Sequence, residues 1–136
     1  MTTSASTTPS VSPVSFGTAL GALERSSESH DDPTTALREA VEALWTIAAQ
    51  AASTNSDGAS VRVELVERGE RILSMIIRRG LASGAFRPRC RRWAVQGLAH
   101  ALMAGACARW VLGLPQERSL SAGVAAEAAL EALRRS

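Results

Sequence analysis

Few side chains in this chain are suited to chemistry. It has two histidines, His30 and His100, two cysteines, Cys90 and Cys107, and no tyrosine. Acyl transfer needs a nucleophile, a base and a group that orients the base. His30 lies in the polar run SESHDD and His100 in an apolar stretch, and there is no G-x-S-x-G. Neither a P-loop nor a G-x-G-x-x-G occurs to cradle phosphates. The cysteines are too far apart in sequence for metal-ligand spacing. His30-Asp31-Asp32 are adjacent, so they cannot preorganise a metal site, and helix capping accounts better for the aspartates. Glu64, Glu67 and Glu70 read as a solvated helix face. The expectation is a protein that is not an enzyme and that takes no cofactor and no metal.

One constellation stands apart. Trp93, Gln96, His100, Met103, Cys107 and Trp110 project together when their segment is drawn as a helix at about 100° per residue. Polar, polarisable and aromatic groups on an otherwise apolar helix predict one wall of a small-molecule cavity, with Gln96 and His100 orienting the ligand. The competing reading is a core helix whose His and Gln are satisfied by backbone or water. A second stripe of the same helix, Gly97, Ala101, Ala104 and Ala108, carries only small side chains. The last helix shows a similar surface through Ala122, Ala126 and Ala129. Two such helices predict a symmetric four-helix interface with a second copy.

The elements that hold these stripes follow from composition and periodicity. The 136 residues are 46% hydrophobic and only 4% aromatic, so the core must be aliphatic and rich in Ala, which favours helix. Residues 1–14 are Ser, Thr and Pro with little to bury and read as disordered. Phe16 to Ser26 allows a short helix, with Phe16, Leu20 and Leu23 on one side, and residues 27–32 read as a linker. The next helix opens with Asp32 as N-cap and Pro33 at the first helical position. It carries Leu37, Val41, Leu44, Ala48 and Ala51 on one face, and STNSDG at 53–58 breaks it. A third helix spans Val61 to Arg79, with Leu65, Ile72 and Ile76 as its buried stripe, and unwinds at Gly80 and Gly84. The fourth runs from Arg91 to Leu112, the fifth from Leu120 to Arg134, with Gly113-Leu114-Pro115 between them. The fold class is all-α, a bundle of about five helices. The domain division is 1–32 as N-terminal segment and 33–136 as folded domain.

Charge and hydropathy exclude other classes. The net charge of +2 is too mild to indicate a nucleic-acid binder. Arg87, Arg89, Arg91 and Arg92, with Arg78 and Arg79 nearby, read as a solvated loop, since no recognition-helix pattern follows. Trp93 to Leu114 is long enough to span a bilayer, but Gln96, His100 and Arg109 interrupt it. An Arg near the middle of a span costs roughly 2.5–3.5 kcal/mol on insertion scales. No membrane contact is expected, and the N-terminus has no secretory signal, so the expected location is the cytoplasm.

The segment RGLASGAFRP, the apolar helix ending in ARWVLG, and the Ala/Leu-rich last helix resemble the C-terminal half of tetracycline-repressor-like (TetR) transcriptional regulators, a bacterial family. Gly84, Phe86 and Arg87 match a Gly-x-Phe-Arg motif at a helix end, and Trp110 matches a Trp near the end of the next helix. The resemblance covers roughly residues 33–136. It implies an effector-binding domain whose last two helices dimerise and whose pocket lies between helices. The family's N-terminal helix-turn-helix has no counterpart here. The chain therefore reads as an effector-binding and dimerisation module without its own DNA-binding head. Its expected partners are a second copy or an intact TetR-like regulator, plus a small apolar ligand, with no direct nucleic-acid contact. The alternative is a helical protein–protein interaction module with no small-molecule ligand.

Overall fold

The computed structural model describes residues 13–54, 59–112 and 121–134, and all of its regular structure there is helical. Helix α1 spans Pro13–Ser29, α2 Pro33–Thr54 and α3 Ala59–Ser83. A π-helical turn, Trp93–Leu98, runs directly into α4, Ala99–Leu112, and α5 spans Ala122–Arg134. The expected all-α bundle is the architecture observed. Residues 13–14 of the segment expected to be disordered are helical, as are residues 53–54 of the expected break at 53–58, while residues 1–12, 55–58 and the expected break at 113–115 lie outside the described residues.

Helix α2 starts where local sequence dictates. Asp32 Oδ1 accepts the Thr34 N–H at 3.2 Å, Oδ2 accepts the Thr35 hydroxyl at 2.7 Å, and the Asp32 carbonyl takes the Ala36 N–H at 2.9 Å. These bonds satisfy donors that the first turn leaves without intrahelical partners. Helix α5 is capped in the same way, with Ser121 Oγ accepting the Val124 N–H at 3.2 Å.

Helix α1 is longer than the short helix expected and continues through the first residues of the presumed linker. Its Leu20 is fully buried in the same core as α2 and α3. Arg79, on α3, donates to the carbonyls of Ser27 and His30 at the C-terminal end of α1. Arg68 Nη2 donates to Glu24 at 2.7 Å, and its Nη1 donates to Glu64 at 3.3 Å. Two arginines of α3 thus hold α1 in place.

Helix α3 does not unwind at Gly80. It continues to Ser83, and Gly84 then reverses the chain at φ +84°, a conformation that costs a glycine little. Gly80 has a packing role instead. The Phe86 ring, 1% exposed, lies against its Cα, where a Cβ would overlap the ring. The Phe86 N–H donates to the Gly80 carbonyl at 3.0 Å, and the Arg87 N–H donates to the Leu133 carbonyl at 2.7 Å. The Gly84–Arg87 turn thereby closes the C-terminal ends of both α3 and α5.

The core is aliphatic: Leu37, Val41 and Leu44 from α2, Leu65, Ile72, Leu73, Ile76 and Ile77 from α3, Met103 from α4, and Leu130 and Leu133 from α5. Helix α2 is central, packing against α3, α4 and α5. Among the described residues, no helix is long and apolar enough to cross a membrane.

Candidate functional site

Helices α3 and α4 lie side by side and antiparallel. Ser74 Oγ donates to the Val95 carbonyl at 2.9 Å, and His100 Nδ1 donates to Glu70 Oε2 at 2.7 Å. A carboxylate only accepts, so Nδ1 carries the proton in this pair. The first bond supports the π turn and the second lies at the surface, where His100 is 71% exposed. The two contacts fix the register that decides which side chains of α4 face outward.

That register separates the six residues expected to form one wall. Trp93 is 44% exposed, and Gln96 and His100 are also outside. Met103 is fully buried and Cys107 is 4% exposed, both within the core. The side chain of Trp110 lies outside the described residues. Met103 fills a notch at Gly69, where a Cβ would come within 2.5 Å of its Sδ and 3.3 Å of Leu44 Cδ2. The predicted wall is therefore divided between surface and core. His100, Met103 and Cys107 all belong to the regular helix α4, where Met103 and Cys107 lie on the edge of the stripe that meets the core and His100 on the edge that meets solvent. Ala94, inside the π turn, is fully buried.

The small-residue stripe of α4 fares differently. Ala101 and Ala104 are exposed and Ala108 is half-buried, an open row on the outer side, whereas the Trp93 indole covers Gly97. On α5 the expectation fails for two of three residues. Ala126 and Ala129 are 1% and 2% exposed, packed inside the chain, and only Ala122 is partly open. Helix α5 turns its small residues toward the bundle because it docks on α2, with Arg38 Nε donating to Glu127 Oε2 at 2.6 Å beside the contact.

Two recesses open beside the outer face of α4. One, about 480 Å³, runs between α3 and α4 and is lined by Val63, Val66, Ala104, Cys107 and Ala108, with Arg62, Glu67 and His100 among its polar neighbours. Val63 is 55% exposed. Burial pushes the Cys107 thiol up from its ordinary value, and the nearby Arg62 opposes that only in part. Cys107 is thus a neutral apolar surface element of this groove and no nucleophile. The other recess, about 530 Å³, is lined by Arg89, Cys90, Trp93, Ala128, Glu131 and Ala132. Among the described residues no group of three or more His, Cys, Asp or Glu side chains is gathered to hold a metal.

Sequence reasoning missed the α3 side of the groove. Val66 reads as a flank of the buried stripe and Glu67 as solvated. Val63 carried the usable signal, being an apolar residue among the charged positions of α3. No protein-family model, curated protein or solved structure matches this chain.

Proposed function

We propose that this chain is an all-helical regulatory module that pairs with a second copy and takes a small apolar effector. In this reading it resembles the C-terminal half of a TetR-like regulator and has no catalytic role. The observation that carries the proposal is the outer face of α4, where Ala104 and Ala108 belong both to the open small-residue row and to the wall of the 480 Å³ groove. Small side chains permit close approach of a second helix. A recess of this size, apolar along its sides and with a few polar groups beside it, suits a small molecule. The effector site of the proposal is therefore the outer groove between α3 and α4, with His100 and Glu67 offering the polar contact.

The test has two arms. Multi-angle light scattering is expected to give twice the mass of one chain, and a monomer up to high micromolar concentration removes the pairing. Nile red is expected to bind saturably, with the binding abolished in Ala104→Trp, where the indole fills the groove from an exposed position. An unchanged titration in that variant removes the effector site.

The second reading is a helical interaction module with no small-molecule ligand. Met103 and Cys107 favour it, since two of the six residues expected to touch an effector belong to the core. A dimer with no saturable dye binding is the outcome that distinguishes it.

A further inference from the structure

Six of the fifteen arginines fall between Arg78 and Arg92, a stretch that holds no carboxylate. From Arg71 to Gln116 there are eight arginines and no carboxylate, whereas the remainder holds seven arginines against thirteen carboxylates. The net charge of +2 conceals this separation. Because α3 and α4 are antiparallel with Ser74 opposite Val95, Arg78, one turn beyond Ser74, and Arg91, one turn before Val95, reach the same end. The loop between them carries Arg87 and Arg89. Its bond from the Arg87 N–H to the Leu133 carbonyl brings the last turn of α5, with Arg134, to that end as well.

All of these arginines are exposed, as is Arg92. None of Arg78, Arg87, Arg89, Arg91 and Arg92 is ion-paired with a carboxylate among the described residues, whereas Arg38 and Arg68 are, and Arg134 helps to hold the Glu127 carboxyl down. Trp93 stands beside them, 44% exposed, in the 530 Å³ recess that it shares with Arg89. Glu131 is the acidic member of that recess, and Glu28, Asp31 and Asp32 lie on the α1 side where Arg79 meets the Ser27 and His30 carbonyls, so both flanks disfavour a phosphate and the loop between α3 and α4 is the track.

We propose that this basic end binds single-stranded nucleic acid, with the arginines on the phosphodiester backbone and one base stacked on Trp93. Closely set cations without carboxylate partners attract a polyanion over a distance of about a Debye length. An indole face adds stacking that only an unpaired base can use, so a single strand gains from both features and a duplex from the arginines alone. A lipid surface fits less well. Interfacial binding needs an apolar helix face turned outward, and beside Trp93 the apolar Ala94 and Leu98 are buried. The expectation of no direct nucleic-acid contact rested on the mild net charge, which does not bear on a patch built by tertiary contacts.

The test is fluorescence anisotropy with a labelled oligothymidylate of about 15 nucleotides. Binding is expected with a Kd of roughly 1–100 µM near physiological salt, weakening about 50-fold between about 50 and 200 mM salt if four phosphates are engaged. The variant Arg89→Gln/Arg91→Gln/Arg92→Gln is expected to bind at least tenfold more weakly, with the salt slope reduced by about two. Trp93→Ala is expected to lose about tenfold with the slope unchanged, and Trp93→Phe to recover most of it. Arg25→Gln, at an exposed position on α1, is expected to bind like the parent. Far-UV circular dichroism checks that each variant is folded.

No saturable binding at about 50 mM salt overturns the proposal, as does an arginine triple variant that binds like the parent. Equal affinity for a duplex of the same length, together with a silent Trp93→Ala, overturns the single-strand assignment. Capture by phosphatidylserine vesicles with no oligonucleotide binding overturns it in favour of a membrane.

Discussion

At two positions a glycine of α3 receives a side chain from a later part of the chain, and the two differ in how far the incoming group can yield. At Gly69 the neighbour is the Met103 thioether, a flexible tip that can swing aside. At Gly80 it is the Phe86 ring, buried and rigid, with three ring carbons in the path of a Cβ. Replacing a helical glycine by alanine gains about 1 kcal/mol in propensity, whereas overpacking costs about 1–3 kcal/mol. Gly69→Ala is therefore expected near neutral and Gly80→Ala destabilising by about 1–2 kcal/mol. Phe86→Ala is expected to cost about 3–5 kcal/mol. Urea denaturation of the three variants checks the order, and a Gly80→Ala as stable as the parent contradicts the packing described. The cysteines differ in the same local sense. Cys90 is exposed, while burial raises the Cys107 thiol. Ellman's reagent at pH 8 is expected to label one thiol rapidly in the native protein and two after unfolding. Rapid labelling of both would show that the groove opens more widely at Cys107.

At the scale of single helices, the ends were legible and the faces only in part. Asp32-Pro33 announced α2 because capping is a local interaction that needs only neighbouring residues. Gly80 misled because glycine has two uses, ending a helix and admitting a neighbour, and only the tertiary fold chooses between them. Ala126 and Ala129 misled for the same reason, since a small residue fits a partner chain and its own chain equally well. The π turn at Trp93–Leu98 has no sequence signal that periodicity could use.

The caps and ties make predictions at this scale. The Thr35 hydroxyl, with the N–H groups of Thr34 and Thr35, holds the Asp32 carboxyl below its ordinary value near 3.8, and Arg38 holds Glu127 below its ordinary value near 4.5. Both folded-state values lie below the unfolded ones. Their stabilising effect is thus complete above about pH 5 and is lost as pH falls through the depressed values. Asp32→Ala is expected to lower Tm by a few degrees at pH 7 and to differ little from the parent at pH 2. A difference that stayed constant with pH would show that the carboxylate charge is not what stabilises the cap. Arg79→Leu is expected to speed amide hydrogen exchange in α1 while sparing the centre of α2, because it removes the donors to the Ser27 and His30 carbonyls.

At the scale of the whole molecule, the central question is how much surface a second copy would cover. Even counted from Gly97, the row to Ala108 is about 17 Å long at 1.5 Å per residue. With a helix about 10 Å wide it offers on the order of 200 Å², far short of the roughly 800 Å² per partner of a standard interface. Pairing through α4 alone would therefore be weak, and a dimer that also covers the outer residues of α3 closes the groove, so that second copy and effector compete for this face. Val63, 55% exposed, is the apolar member of that flank best placed to be covered. Ala104→Glu and Val63→Glu should then act alike, each setting a charge in the buried part of the seam and converting dimer to monomer, while Ala104→Ser should not. A dimer also makes Tm rise with protein concentration, and both glutamate variants should abolish that dependence. If Ala104→Glu dissociates the pair and Val63→Glu leaves it intact, the seam runs along α4 and away from α3. In that case the groove stays open in the dimer and is free to take an effector while the two chains remain together.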